Sequence, residues 1–162
     1  MGTCSITITT GIRYNYKMYL YSRLGRRMST ANVTLNIVDN VHIFTFHNSS
    51  RRAAKEYVNM GGIKLREWID AYDKTPFPVI LDISKSGLFS VSYVKELTQK
   101  DFESLPFLPE IHLAYVTDKP HDIMVINTLN PMAANHLNNT RRVFSPKEMD
   151  KAIEWLSGAK AS

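Results

Sequence analysis

Five residues near the middle of the chain, Val79-Ile80-Leu81-Asp82-Ile83, constrain the fold more than any other stretch. Apart from Asp82 they are apolar at odd and even positions alike. A strand built from them cannot leave one face in water, so it reads as a buried central strand. Upstream, Val33, Leu35 and Ile37 alternate with polar residues, and Val41 to Phe46 is β-branched and aromatic. Asp39-Asn40 lies between these two runs and has turn chemistry, so they form a β-hairpin. His42 and His47 are then a strand-face and a strand-end residue.

Helical periods fill the spaces between strands. Ser49-Ser50 caps a helix starting near Arg51. Gly61-Gly62 is expected to interrupt it, because a glycine costs about 1 kcal/mol relative to alanine inside a helix. Beyond the glycines, Leu65, Trp68, Ile69 and Tyr72 recur at helical spacing, with Lys64, Arg66, Glu67 and Asp70 on the other face. Pro76 and Pro78 end that helix. After the central strand, Ser84-Lys85-Ser86-Gly87 turns the chain. Ser90 or Ser92 caps a second helix that carries Tyr93, Val94, Leu97 and Phe102 inward. Ile111–Val116 is the next strand. Asp118 to Asp122 introduces a third helical stretch, Ile123 to Leu129, which Pro131 stops or kinks. Thr140–Phe144 is the last strand. Ser145-Pro146-Lys147-Glu148 then combines a cap, a first-turn proline and a capping-box glutamate. Met149, Ile153 and Leu156 form the apolar stripe of the terminal helix, and Gly158 stands at its end.

The element order is therefore β-β-α-β-α-β-α-β-α. It specifies an α/β protein with a single mixed β-sheet of about five strands, an antiparallel hairpin followed by right-handed parallel crossovers. A chain of 162 residues is long enough for one such core. No apolar run approaches the roughly 18 residues of a membrane span. With Cys4 the only cysteine, an internal disulfide framework is excluded.

The net charge of +5 is local. Residues 1–27 hold Arg13, Lys17, Arg23, Arg26 and Arg27 and no acid, which leaves fifteen basic and fifteen acidic residues over 28–162. The division expected is a basic, flexible extension over 1–27, a domain over 28–158 and a tail over 159–162. A nucleic-acid partner is not expected, since the domain carries only the isolated pairs Arg51-Arg52 and Arg141-Arg142.

This order, together with Leu81-Asp82-Ile83-Ser84 and the ending Arg142-Val143-Phe144-Ser145…Ala152-Ile153-Glu154-Trp155-Leu156, resembles the STAS fold of anti-sigma-factor antagonists. It is similar to a bacterial branch of SpoIIAA-like proteins, which share an architecture with CRAL-TRIO lipid carriers. The resemblance covers roughly residues 32–158. It implies a cytoplasmic, non-enzymatic signalling module with a protein partner, either a regulatory kinase or sigma-pathway protein or a second copy in a homodimer. Antagonists of the switching type place a phosphorylatable serine in an Asp-Ser-Ser-Gly turn at the start of the helix after the central strand. Here that region reads Ser86-Gly87-Leu88-Phe89-Ser90-Val91-Ser92, with Ser90 and Ser92 as the available hydroxyls. Helix N-termini favour an added phosphate because their amides are unpaired.

Enzyme signatures are lacking. There is no phosphate-binding glycine loop, no HExxH and no nucleophile elbow, and the five histidines form no i,i+4 pair. Neither a cofactor nor a metal is expected. In open α/β sheets a ligand or partner meets the carboxyl ends of the parallel strands. That rim gathers Asp82, Ser84, Ser86, Ser90, Ser92, Asp118 and His121 as candidate binding or regulatory residues. Asp82 needs a partner, and the turn amides after it supply one more readily than acid–base chemistry does. A fold could also bring His121 to Asp118 or Asp122, or His112 to Asp82. Docking through the rim after Val79–Ile83 is the first functional reading. Binding a small apolar or lipid ligand between sheet and helices is the alternative, and it requires a continuous cavity of about 300 Å³.

Overall fold

A computed structural model describes residues 27–134 and 139–158. Its six strands lie side by side in sequence order: β1 (Arg27–Ser29), β2 (Val33–Val38), β3 (Val41–Phe46), β4 (Phe77–Asp82), β5 (Ile111–Val116) and β6 (Asn139–Phe144). The first two pairings are antiparallel and the remaining three parallel. The helices are α1 (Arg51–Tyr72), α2 (Val91–Glu103), α3 (Pro120–Ala134) and α4 (Met149–Gly158). The mixed α/β sheet expected from the sequence is present, with β1 as one added edge strand. Met28 pairs with Leu35, so the boundary drawn between residues 27 and 28 falls inside that strand. The expectations for residues 1–26 and 159–162 lie outside the described residues.

Because the parallel strands advance in one direction, three right-handed crossovers place α1, α2 and α3 on the same face. Val33, Leu35, Phe44, Phe46, Val79, Leu81 and Leu113 pack there against Ala53, Ala54, Leu65, Trp68, Ile69 and Ile126. The terminal helix α4 returns to the opposite face. Its Ala152 and Leu156 cover Val41, Ile43, Ile80, Ala114 and Val116. The two cores explain the uninterrupted apolar run of β4: Val79 and Leu81 face α1, and Ile80 faces α4. The β2–β3 hairpin closes on Asp39 and Asn40, both at positive φ (50° and 63°), which is the primed turn whose twist suits a two-residue loop. His42 is buried in ring contact with Trp68 and Phe77, and the exposed His47 ends its strand with a 2.9 Å hydrogen bond to Thr34 Oγ1.

Three helical details depart from the sequence reading. First, Gly61-Gly62 does not interrupt α1, which runs unbroken for 22 residues. Ser50 caps it by accepting from the Ala53 amide at 3.1 Å, and Leu65, Trp68 and Ile69 anchor its second half in the core. Tertiary burial on both sides of the glycines outweighs their poor propensity. A β-carbon on Gly61 would lie 3.7 Å from Tyr57 Cε2 and 3.9 Å from Phe44 Cζ, ordinary contact distances. Gly61→Ala is therefore expected to stabilise the protein by about 0.5–1 kcal/mol. A fall in its urea midpoint would show that the site has no room. Second, Lys64 is not on a solvent face: it is buried, with its ammonium 2.7 Å from Glu67 Oε2. Third, of the two roles expected for Pro131 it does not stop the helix, since α3 continues to Ala134.

A carboxylate fastens α1 to the start of the sheet. Glu56 accepts from Thr30 Oγ1 and from Asn32 Nδ2, and pairs with Arg52 at 3.2 Å. Burial raises its pKa, but the hydrogen bonds from Thr30, Asn32 and Arg52 outweigh burial and hold it below the ordinary 4.5. A depressed folded-state pKa contributes stability that is present above the unfolded value and lost as pH falls through the folded one. From about pH 5 to pH 3 the wild type should thus lose more stability than Glu56→Gln. Parallel acid-unfolding curves for the two proteins would refute the clasp.

Candidate functional site: the carboxyl rim of the sheet

The parallel strands β3 to β6 all end on one rim, where the turns into α1, α2, α3 and α4 also lie. The turn after β4 is built around Asp82. Its Oδ1 accepts from the Ser84 amide at 3.2 Å and from Ser84 Oγ at 2.6 Å. The acid is thus held by the turn that follows it, the simpler of the two roles expected for it. Ser86 Oγ donates to the Gly87 carbonyl at 3.0 Å, and the Gly87 amide donates to Ile83 O at 2.8 Å. Gly87 adopts φ +80°, a left-handed conformation open to glycine. A β-carbon there would sit 3.5 Å from Asp122 Oδ2 and 3.6 Å from Lys119 Nζ, so the turn lies directly against the start of α3.

At the start of α2, Ser90 is the cap and Ser92 is not. The Tyr93 amide approaches Ser90 Oγ at 3.4 Å and the Val94 amide donates to Ser90 O at 3.1 Å. Ser92 lies in the first turn, and its hydroxyl is 3.0 Å from that of Ser90. Both serines are exposed. Arg51, at the start of α1, lies over the Tyr93 ring at 5.4 Å and brings the two helix starts together.

The turn after β5 adds residues that periodicity did not single out. Thr117 is buried; its hydroxyl accepts from the Lys119 amide at 3.2 Å and reaches Asp122 Oδ2 at 3.5 Å. Lys119 Nζ donates to the Lys85 carbonyl at 3.3 Å, tying the β5–α3 turn to the β4–α2 turn. Asp122 is buried in the first turn of α3, where the helix dipole favours a negative charge. An acid in the first turn of a helix was the available signal for it. Asp118 and His121 occupy the same rim, exposed, and neither side chain makes a hydrogen bond or ion pair to another described residue. The pairing of His121 with Asp118 or Asp122 does not form. Nor does that of His112 with Asp82: His112 is opposite Pro78, near the far end of the sheet, and bonds Glu110 Oε1 at 2.9 Å.

The rim's acids Asp82 and Asp122 are engaged in turns, Arg52 is paired with Glu56 at 3.2 Å, and the exposed Arg51, Lys85 and Asp118 present charge of both signs outward. Among the described residues no cluster of three or more His, Cys, Asp and Glu is placed to hold a metal ion. Nor is any described helix long and apolar enough to cross a membrane. Away from the rim, a cleft between α1, α2 and the sheet, lined by Phe44, Val58, Leu65 and Phe102 among others, encloses a cavity of about 60 Å³. No protein-family model, curated protein or solved structure matches the chain.

Proposed function

We propose that the chain is a non-enzymatic, cytoplasmic regulatory module that docks a protein partner through the carboxyl rim of its sheet, in the manner implied by the resemblance to anti-sigma-factor antagonists. The observation that carries this reading is the exposed Ser90–Ser92 hydroxyl pair, set at the start of α2 beside Arg51 on a rim of mutually braced turns. Such a surface offers a preformed platform of mixed charge, to which a partner of complementary charge pattern can dock. Its turns are tied to one another, so little ordering accompanies binding. The apolar-ligand alternative has the α1–α2 cleft in its favour, but a cavity of about 60 Å³ is several times too small for a carrier.

The test places a photo-crosslinking residue at position 92 and, as a control, at Asp70, an exposed position late in α1. A discrete adduct from position 92, absent from position 70 and diminished by Ser90→Asp, supports docking at the rim. Equal labelling from both positions, or none, rejects it. Ser90→Asp and Ser92→Asp should each change stability by less than about 1 kcal/mol, because an acid at a helix start is tolerated or favoured. Unfolding of either variant would mean that the serines serve the fold.

A further inference from the structure

The helix-side face of β5 and β6 carries a polar cluster unconnected with the rim. Asn139 and Arg141 are two residues apart in β6 and point to the same face, alongside Ile111 and Leu113 of β5. Tyr115 follows on that face of β5, next to Val143. Tyr57 of α1 looks down on the sheet from above, its ring against Phe44 and Phe46. Arg141 Nε and Asn139 Oδ1 are both buried, and neither has a hydrogen-bond partner among the described residues. The phenol hydroxyls of Tyr57 and Tyr115 likewise make no hydrogen bond to a described residue. Burial raises the pKa of both phenols, and the Arg141 charge acts on each in the opposite sense.

An unmatched cationic N–H and an unmatched carbonyl, both shielded from water on one strand face, are costly, since neither finds a partner among the described residues. Their senses differ. Arg141 and the two phenols offer protons, while Asn139 Oδ1 asks for one. We propose that this face binds a small oxyanion that carries its own hydroxyl, a phosphate monoanion or the monoanion of a phosphate monoester. Its anionic oxygens accept from Arg141 and the phenols, and its P–OH donates to Asn139 Oδ1. Arginine suits such a ligand because its planar fork matches tetrahedral oxyanions and never loses its charge. Sulfate has similar size and shape but no proton to donate near neutrality, so it fails at Asn139.

The full chain should be titrated at about pH 6, where the phosphate monoanion is well populated. Inorganic phosphate, phenyl phosphate and sulfate are compared at equal ionic strength, with the Arg141 ¹⁵Nε resonance and the thermal midpoint as readouts. Phosphate is expected to shift the resonance saturably and raise the midpoint with concentration. Sulfate should bind at least about tenfold more weakly, and Arg141→Lys should lose about tenfold in phosphate affinity. Binding of inorganic phosphate alone identifies the free ion as the ligand; binding of phenyl phosphate too identifies monoesters. An unmoved Arg141 resonance, sulfate as effective as phosphate, or Arg141→Lys responding like wild type overturns the proposal. If Arg141→Lys does not fold, Tyr115→Phe and the wild-type titration decide it, with the same reduced affinity expected.

Discussion

Phe46→Ala will lower the unfolding free energy by about 3–5 kcal/mol, read from the urea midpoint with its slope unchanged. Phe46 is fully buried on the α1 side of the sheet, with ring centroids 5.4 Å from Tyr57 and 4.9 Å from Phe89. Truncation removes a ring whose neighbours belong to a strand, a helix and the loop before α2, three elements that cannot close together over the gap. The cost is then the lost transfer energy plus the cavity left behind. Phe46→Leu keeps most of the volume and should cost under about 1.5 kcal/mol. A loss below about 1 kcal/mol for Phe46→Ala would mean that the aromatic cluster does not hold α1 and the Phe89 loop to the sheet.

Leu156→Ala will cost about 2–5 kcal/mol, and Trp155→Ala less. On the opposite face α4 buries only Ala152 and Leu156 fully, so Leu156 carries most of the apolar area that holds this ten-residue helix. Trp155 points about a quarter-turn away. It covers the sheet edge instead, against Phe144 at 5.9 Å and His112 at 6.3 Å, with Arg142 over its ring at 5.1 Å. Part of that surface stays in water in the native state, so less is lost on truncation. Equal midpoints for Leu156→Ala and wild type would contradict this packing. Phe46 and Leu156 lie in separate cores on opposite faces, so the Phe46→Ala, Leu156→Ala double variant should lose the sum of the single losses within about 0.5 kcal/mol. A larger departure from additivity would mean that strain crosses the sheet.

Residue order alone determined the elements and their sequence, because each signal was local. Alternation in Val33–Ile37, the Asp39-Asn40 turn, the doubly apolar Val79–Ile83 and the Ser145–Glu148 box act within a few residues. Ser145 indeed donates from its amide and hydroxyl to Glu148 Oε2, at 3.2 and 2.9 Å. The same locality located the rim and the self-capping of Asp82 by Ser84. What the chain as a string could not specify depended on partners distant in sequence. The unbroken course of α1 through Gly61-Gly62 is decided by burial against β3, which overrides an intrinsic penalty of about 1 kcal/mol per glycine. The edge pairing of β1 with β2 rests on backbone hydrogen bonds that no side-chain period announces. The close approach of Gly87 to Asp122 and the hydrogen bond from Lys119 to the Lys85 carbonyl join residues 35 and 34 positions apart. The placing of Asn139 and Arg141 beside Ile111 and Leu113 joins strands that are far apart in sequence. Such encounters are fixed only when right-handed crossovers lay three helices on one face and send the last helix to the other, because only then do those side chains share the same volume.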